Sequence, residues 1–152
     1  PAAMDVTGSM VYVKTDTHNI LIDAGLHQSN SKYDDFLVNK RRFKEFKPKD
    51  IDYIFISHLH ADHVFLSPRL YKEGCSAKMI VAQDNYRIMH RMAEDSAYII
   101  ERDIELINNQ HGKNYDPLYT IEDVERTMNY VSEYPVMKKI VIYAHSKRTF
   151  AW

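Results

Sequence analysis

The chain of 152 residues is 45% hydrophobic and 27% charged, which is ordinary for a soluble globular protein, and its length suits one domain or part of one. Its formal net charge of −1 gives no sign of a whole-domain attraction to nucleic acid or membrane, and no apolar run reaches the roughly 20 residues that span a bilayer. The single cysteine, Cys75, excludes an internal disulfide and fits a reducing, cytoplasmic compartment.

The first predicted elements are strands. Residues 10–13 and 19–22 are rich in β-branched and aromatic side chains, which predicts a hairpin with its turn at residues 15–18. A charged stretch at residues 34–46 predicts a helix that ends before Pro48. The nearly continuous apolar run at residues 51–56 is typical of a strand buried in a parallel or mixed sheet.

Helical periodicity dominates the next part of the chain. Residues 67–74 predict a short helix, and residues 78–81 predict a short strand. Apolar residues then recur at three- and four-residue steps over about residues 85–109, which predicts one long amphipathic helix. Gly112 is the expected end of this helix because glycine favours the left-handed conformation that closes helices.

Two more elements complete the predicted order. Thr120 is a candidate N-cap for a second helix, with acidic residues in its first turn, and we expect Pro135 to close it. Residues 139–143 predict a last strand. Because strands alternate with helices along the chain, the sequence predicts an α/β layered fold.

The densest set of candidate ligands directly follows the strand at residues 51–56. Residues 57–63 read Ser-His-Leu-His-Ala-Asp-His, and the imidazoles and carboxylate are those of His58, His60, Asp62 and His63. Zinc and similar divalent metals select these ligand types. His58 and His60 are two positions apart on an extended backbone and so point to one side, whereas the chain can curl to return the other two to an adjacent second metal. The pattern predicts a metal site, against the alternative of a metal-free histidine-rich loop.

This segment resembles the His-x-His-x-Asp-His motif of metallo-β-lactamase-fold hydrolases. Asp23, in Leu-Ile-Asp-Ala-Gly, resembles the aspartate of that family's first motif, which lies beside the metals and helps to orient the site. The resemblance implies that residues 1–152 form part of an αββα sandwich, in which a mixed sheet is flanked by helices. It also implies zinc as the cofactor, with two ions in a complete site.

Three further segments resemble β-CASP nucleic-acid-processing enzymes. They are Val-Thr-Gly-Ser at residues 6–9, Asp-Ser-Ala-Tyr-Ile-Ile-Glu-Arg-Asp at 95–103 and Pro-Leu-Tyr-Thr-Ile-Glu-Asp-Val at 117–124. The last two resemble the bacterial ribonuclease-like members, and their alternative interpretation is ordinary helix packing. His145, which follows the strand at 139–143, lies about where the family has its third-motif histidine.

The resemblance implies a zinc-dependent phosphodiester hydrolase that acts on RNA through a metal-bound hydroxide. His58, His60 and His145 would hold one zinc. Asp62 and His63 would contribute to the second, and Asp62 could also take the catalytic role of orienting the attacking water.

The chain departs from the family pattern at three points. Phe65 stands where the family usually has glycine, which predicts a reshaped metal loop or a partly blocked cleft. Polar residues 146–149 follow His145 in place of apolar and glycine residues. The family's first strand would precede Pro1, and its remaining metal ligands and β-CASP cap would follow Trp152, so residues 1–152 are expected to be a partial domain.

Two alternatives to an RNA hydrolase remain open. One keeps the fold and changes the substrate to a thioester, a lactone or another small molecule. The other is an inactive, truncated module that binds metal weakly, and whose exposed sheet edges would favour association into homo-oligomers.

The remaining charged and histidine residues carry weaker signals. A basic stretch at residues 40–49, interrupted by Phe43 and Phe46, favours a solvated helix face over a phosphate-contacting surface. Four further histidines have no ligand-like spacing and are interpreted as surface or core residues: His18, His27, His90 and His111.

Overall fold

The structure is a computed structural model that describes residues 8–41 and 43–136. The described residues form five strands: β1 (Val11–Lys14), β2 (Asn19–Ile22), β3 (Tyr53–Phe55), β4 (Lys78–Ala82) and β5 (Val131–Tyr134). They also form five α-helices: α1 (Lys32–Lys40), α2 (Ala61–Val64), α3 (Ser67–Lys72), α4 (Tyr86–His111) and α5 (Ile121–Met128). A short 3₁₀ turn at Pro48–Asp50 precedes β3.

The strands make one mixed sheet in the order β1-β2-β3-β4-β5. The β1–β2 hairpin is antiparallel, and β2, β3, β4 and β5 run parallel to their neighbours. Leu21, Ile54 and Met79 lie side by side in this register and are each completely buried. A mixed sheet with a buried face and accompanying helices confirms the α/β fold class that the sequence predicts.

Helix α4 is as long as its periodicity predicts. Buried Met89, Ala93 and Ala97 recur at four-residue steps on one face. Gly112 ends the helix with φ +59°, and its N–H donates to Asn108 O. Helix α5 packs against both α3 and α4.

The helix expected at residues 34–46 is shorter than predicted. It ends at Lys40, and residues 43–47 are outside any helix. Arg69, in α3, explains where it stops, because its guanidinium donates to the carbonyls of Asn39 and Arg41, the second at 2.9 Å. Arg69 thus satisfies carbonyl groups that have no partner within α1 at its C-terminal end.

The helix expected to run from Thr120 to Pro135 is also shorter than predicted. It does begin after Thr120, whose N–H donates to Asp123 Oδ2 at 3.1 Å, but it ends at Met128. Residues Val131–Tyr134 instead form β5 and pair with the edge of β4. The expected strand at 139–143 and His145 lie outside the described residues.

No helix among the described residues is both long enough and apolar enough to cross a membrane.

Candidate metal centre

The predicted ligands lie where the polypeptide leaves the carboxyl end of β3. The N–H of Ile56 still donates to Ile80 O of β4 at 2.9 Å, and the loop that starts at Ser57 then leaves the sheet. His60 is the N-cap residue of α2, so Asp62 and His63 lie on a single helical turn. A loop and one turn thus carry all four side chains to one edge of the sheet.

The four candidate ligands are close together in the structure. The ring centroid of His58 is 4.6 Å from that of His60 and 4.0 Å from that of His63. Asp62 Oδ2 is 3.6 Å from His63 Nε2. His58 and His60 are exposed, while Asp62 and His63 are partly buried, so the cluster opens towards solvent and a substrate could reach it.

Asp23 lies behind this cluster at the end of β2. Its N–H donates to Phe55 O at 2.8 Å, and its backbone has φ +61°, a left-handed conformation that aspartate tolerates better than most residues. The carboxylate accepts from the N–H of Ser57 at 2.7 Å and from the Ser57 hydroxyl at 2.8 Å, and His63 Nδ1 lies 2.8 Å from it. One side chain therefore fixes both the loop and an imidazole.

These hydrogen bonds determine which ring nitrogens are free. A carboxylate can only accept, so His63 carries its proton on Nδ1 and leaves Nε2 as the electron-pair donor. The hydroxyl proton of Ser57 goes to Asp23, so Ser57 Oγ accepts from His58 Nδ1 at 3.0 Å, which leaves His58 Nε2 free as well. Ser57 could not be identified from the sequence, because its role depends on its contact with Asp23.

Main-chain hydrogen bonds hold the loop in place. Asp62 O accepts from the N–H of Ser9 at 2.8 Å, and His63 O accepts from the N–H of Ala24 at 2.7 Å. A Cβ atom added at Gly25 would lie 1.7 Å from Asp62 O, which is far inside van der Waals contact. Glycine is required here because the backbone of one segment passes directly over that of the other.

Phe65 does not project into the exposed cluster. Its side chain is 3% exposed and belongs to the hydrophobic core, and its φ of −88° is ordinary for any residue. The ring is therefore packed inside the protein, in contrast to the expectation that it would crowd the metal loop.

The donor chemistry of the cluster fits a divalent metal, because imidazole nitrogens and a carboxylate share one edge of the sheet without a lysine or arginine among them. The family resemblance assigns His58 and His60 to one ion and Asp62 and His63 to another. This assignment would give each ion two of its protein ligands.

Another group of metal-ligating side chains joins α4 to α5. Its donor atoms lie within 4.8 Å of one another, and its members are His90, Glu94 and Glu125. His90 Nε2 is 2.6 Å from Glu125 Oε1, and Glu94 also pairs with Arg91 at 3.2 Å. Ordinary ion pairs account for these contacts. The sequence could not bring His90 and Glu125 together, because they lie on different helices.

Comparison with known proteins identifies the family. A model described as the metallo-beta-lactamase superfamily matches residues 4–131. The chain is 25% identical over 130 residues to a protein named ribonuclease TTHA0252 from Thermus thermophilus, covering 86% of this chain and 26% of that protein. It is 29% identical over 100 residues to probable RNase MJ4 from Methanocaldococcus jannaschii, covering 66% of this chain and 22% of that protein.

The chain thus spans about a quarter of the length of these curated relatives. A solved metallo-β-lactamase from Cronobacter sakazakii is 28% identical with a TM-score of 0.44, covering 59% of this chain and 30% of that one. The family match extends over most of the chain and includes both Asp23 and the histidine cluster. The chain belongs to the metallo-β-lactamase superfamily.

Proposed function

We propose that this protein is a zinc-dependent hydrolase of RNA phosphodiester bonds, of the β-CASP ribonuclease type. The observation that carries the proposal is the group of four side chains at the end of β3, with the Asp23–His63 hydrogen bond of 2.8 Å behind it. Hydrolysis by a member of this superfamily is supported by the family match, and RNA is supported by relatives that are named as ribonucleases.

In this proposal His58 and His60 would hold one ion, together with His145, which is outside the described residues. Asp62 and His63 would hold the second. A bound divalent ion supplies Lewis acidity and lowers the pKa of the water that it holds. Asp23 keeps His63 Nε2 directed outwards, and Ser57 does the same for His58.

Asp62 has the most direct part in the chemistry of the proposed reaction. Its carboxylate is only partly buried and lies 3.6 Å from His63 Nε2, at the mouth of the cluster. We assign it the role of accepting a hydrogen bond from the attacking water and so orienting that water towards phosphorus.

An inactive module that binds metal weakly is the second candidate. It is favoured by one observation on the described residues: no three of the side chains of His58, His60, Asp62 and His63 bring their donor atoms within 4.8 Å of one another. Zinc titration of residues 1–152 separates the two candidates, because tight binding of two ions by this segment would contradict the second.

The test of the proposed function compares two histidine variants of the full-length protein. His60→Ala should lower the zinc content and should lower RNA cleavage by at least about 100-fold. Losing a residue that only orients a metal ligand costs up to about 100-fold in activity, and losing a ligand should cost at least as much. His111→Ala is the matched control, because His111 is exposed and stacks on Tyr33 with 4.1 Å between ring centroids.

Metal content by elemental analysis and cleavage of a labelled RNA are the two measurements. The proposal would be refuted by a metal-free wild-type protein, or by a His60→Ala variant that cleaves RNA as fast as the wild type. Turnover of a lactone or thioester with no turnover of RNA would support the small-molecule alternative instead.

A further inference from the structure

The basic stretch after α1 does not lie on a helix face. The helix ends at Lys40, and residues 43–47 form a loop that leads into the turn at Pro48–Asp50. The sequence favours a solvated helix face: the helix is wrong for residues 43–47, whereas the exposure of Lys44 and Lys47 agrees with it.

These lysines surround an open cavity of about 810 Å³, which we call the basic groove. It is lined by Lys44, Lys47 and Lys49 from the loop and turn, and by Lys14 at the end of β1. All four are exposed, and none forms an ion pair with a carboxylate of the described residues. Four amino groups are thus available to a ligand.

Aromatic rings form part of the wall of the groove. Phe43 and Phe46 stack with 5.0 Å between their centroids, and Tyr12 lies 5.2 Å from Phe46. All three are only partly buried, and the first two also line a second cavity on their other side. Proteins that bind single-stranded nucleic acids combine cationic side chains, which contact the phosphates, with aromatic rings, on which the bases stack.

Three carboxylates also line the groove: Glu45, Asp50 and Asp52. Asp52 already accepts a hydrogen bond from the N–H of Asn19 at 2.9 Å. The four lysines still outnumber these three carboxylates.

The groove and the metal cluster lie at opposite ends of the sheet. Asn19, the first residue of β2, and Ile51, just before β3, line the groove, whereas Asp23 and Ser57 follow the carboxyl ends of the same strands. Asp23 is four positions after Asn19 along the chain, which is about 13 Å at the usual rise of a strand. A ligand that reaches both must therefore be longer than the bond that is cleaved.

We propose that the basic groove binds the backbone of single-stranded RNA at a distance from the cleaved bond. The proposal rests on the proposed function for the identity of the ligand. The groove anchors the substrate strand, so it governs affinity for long RNA and takes no part in the bond cleavage itself.

The test measures binding of a labelled 20-nucleotide RNA by fluorescence anisotropy at several salt concentrations. The full-length protein carries His60→Ala throughout, so that the RNA stays intact. Lys44→Gln, Lys47→Gln and Lys49→Gln are combined, and the matched control combines Arg87→Gln, Arg102→Gln and Lys113→Gln, which remove the same charge from exposed positions elsewhere. Exposed substitutions of this kind leave the core unchanged, and circular dichroism checks the fold.

The loop variant should bind RNA more weakly than the wild type. The plot of log affinity against log salt concentration should also become less steep by roughly 2, since each of three lost phosphate contacts contributes about 0.7 for a single strand. The control should keep the wild-type slope. Equal losses in the two variants, or no loss in either, would overturn the proposal.

Cleavage assays separate this proposal from the proposed function. With His60 restored, the loop variant should raise KM for the 20-nucleotide RNA and leave turnover of bis(p-nitrophenyl) phosphate unchanged, because that substrate is too short to reach the groove. A wild-type protein that binds RNA through the lysines but does not cleave it would refute the proposed function and support the groove.

Discussion

At the scale of single residues, the carboxylate of Asp23 connects two parts of the molecule. It joins the end of β2 to the loop after β3 through Ser57, and it orients His63. Such a group acts on a metal through the ligand that it holds, so its removal should weaken binding without removing a ligand. Asn and Asp both tolerate the left-handed backbone at this position, which permits a conservative test.

Asp23→Asn should therefore lower zinc affinity by about 10- to 100-fold while the protein stays folded. The reason is that a neutral amide holds His63 Nδ1–H less strongly and can present its NH₂ group to a donor. Competition with a chromophoric chelator measures the change. Asp84→Asn is the matched control, because Asp84 is an exposed aspartate with φ +68° after β4, and its affinity should equal that of the wild type. Unchanged affinity in Asp23→Asn would contradict the assigned role.

Most candidate ligands can be read from the sequence, because four of the five proposed ligands lie within six consecutive positions. Asp23 could be added only through the family resemblance. The parts played by Ser57 and Gly25 could not be predicted, since each depends on a distant segment that folding brings into contact. The local sequence pattern indicates the candidate ligands, whereas tertiary packing determines which other residues contact those ligands and their loop.

At the scale of secondary-structure elements, the segments at 95–103 and 117–124 meet where α4 packs near the start of α5. The hydroxyls of Ser96 and Tyr119 are 2.8 Å apart. Tyr119 is completely buried and Ser96 is partly buried, and burial raises the pKa of the Tyr119 phenol above its usual value. The pair therefore links α4 to the segment that leads into α5.

Removing the Ser96 hydroxyl should lower the free energy of unfolding more than removing the Tyr119 hydroxyl. Ser96→Ala leaves the buried Tyr119 hydroxyl without a partner and should lower the free energy of unfolding by about 1–3 kcal/mol. Tyr119→Phe should cost less, because water can reach Ser96. The double variant should recover part of the loss, and urea unfolding of all four proteins measures the coupling. Strictly additive effects would show that the hydroxyls do not interact.

The ends of elements were harder to predict than their existence. The charged residues at 34–46 suit a helix, but the helix ends at Lys40, where Arg69 donates a hydrogen bond to the carbonyl of Arg41. Val131 suits a helix face and a strand equally, and pairing with β4 decides for the strand. In both places a contact with another element overrides the local pattern.

At the scale of the whole molecule, the core contains groups that resist ionisation. Burial raises the pKa of the Cys75 thiol from 9.0 to about 11, and burial also raises the pKa of the Tyr71 phenol. The unfolded chain releases these protons near their ordinary pKa values, whereas the folded chain retains them. The stabilisation is therefore complete below about pH 9 and is lost as the pH rises towards and beyond 11.

The free energy of unfolding should consequently fall between pH 9 and pH 11, with a contribution from Cys75 of up to about 3 kcal/mol. Urea unfolding at pH 8, 9.5 and 10.5 measures the decline. Cys75→Ala should decline less steeply than the wild type over the same range, since it removes one of the groups responsible. Parallel curves for the two proteins would argue against the assignment to Cys75.

Main-chain contacts hold the backbone of the histidine loop in place without using its side chains. The amides of Ser9 and Ala24 bind carbonyls of the loop, and Gly25 fits against its backbone, whichever side chains the loop carries. A change of His58 or His60 alters what the loop can bind but leaves these restraints intact. The backbone frame of the loop therefore does not depend on the side chains of His58 and His60.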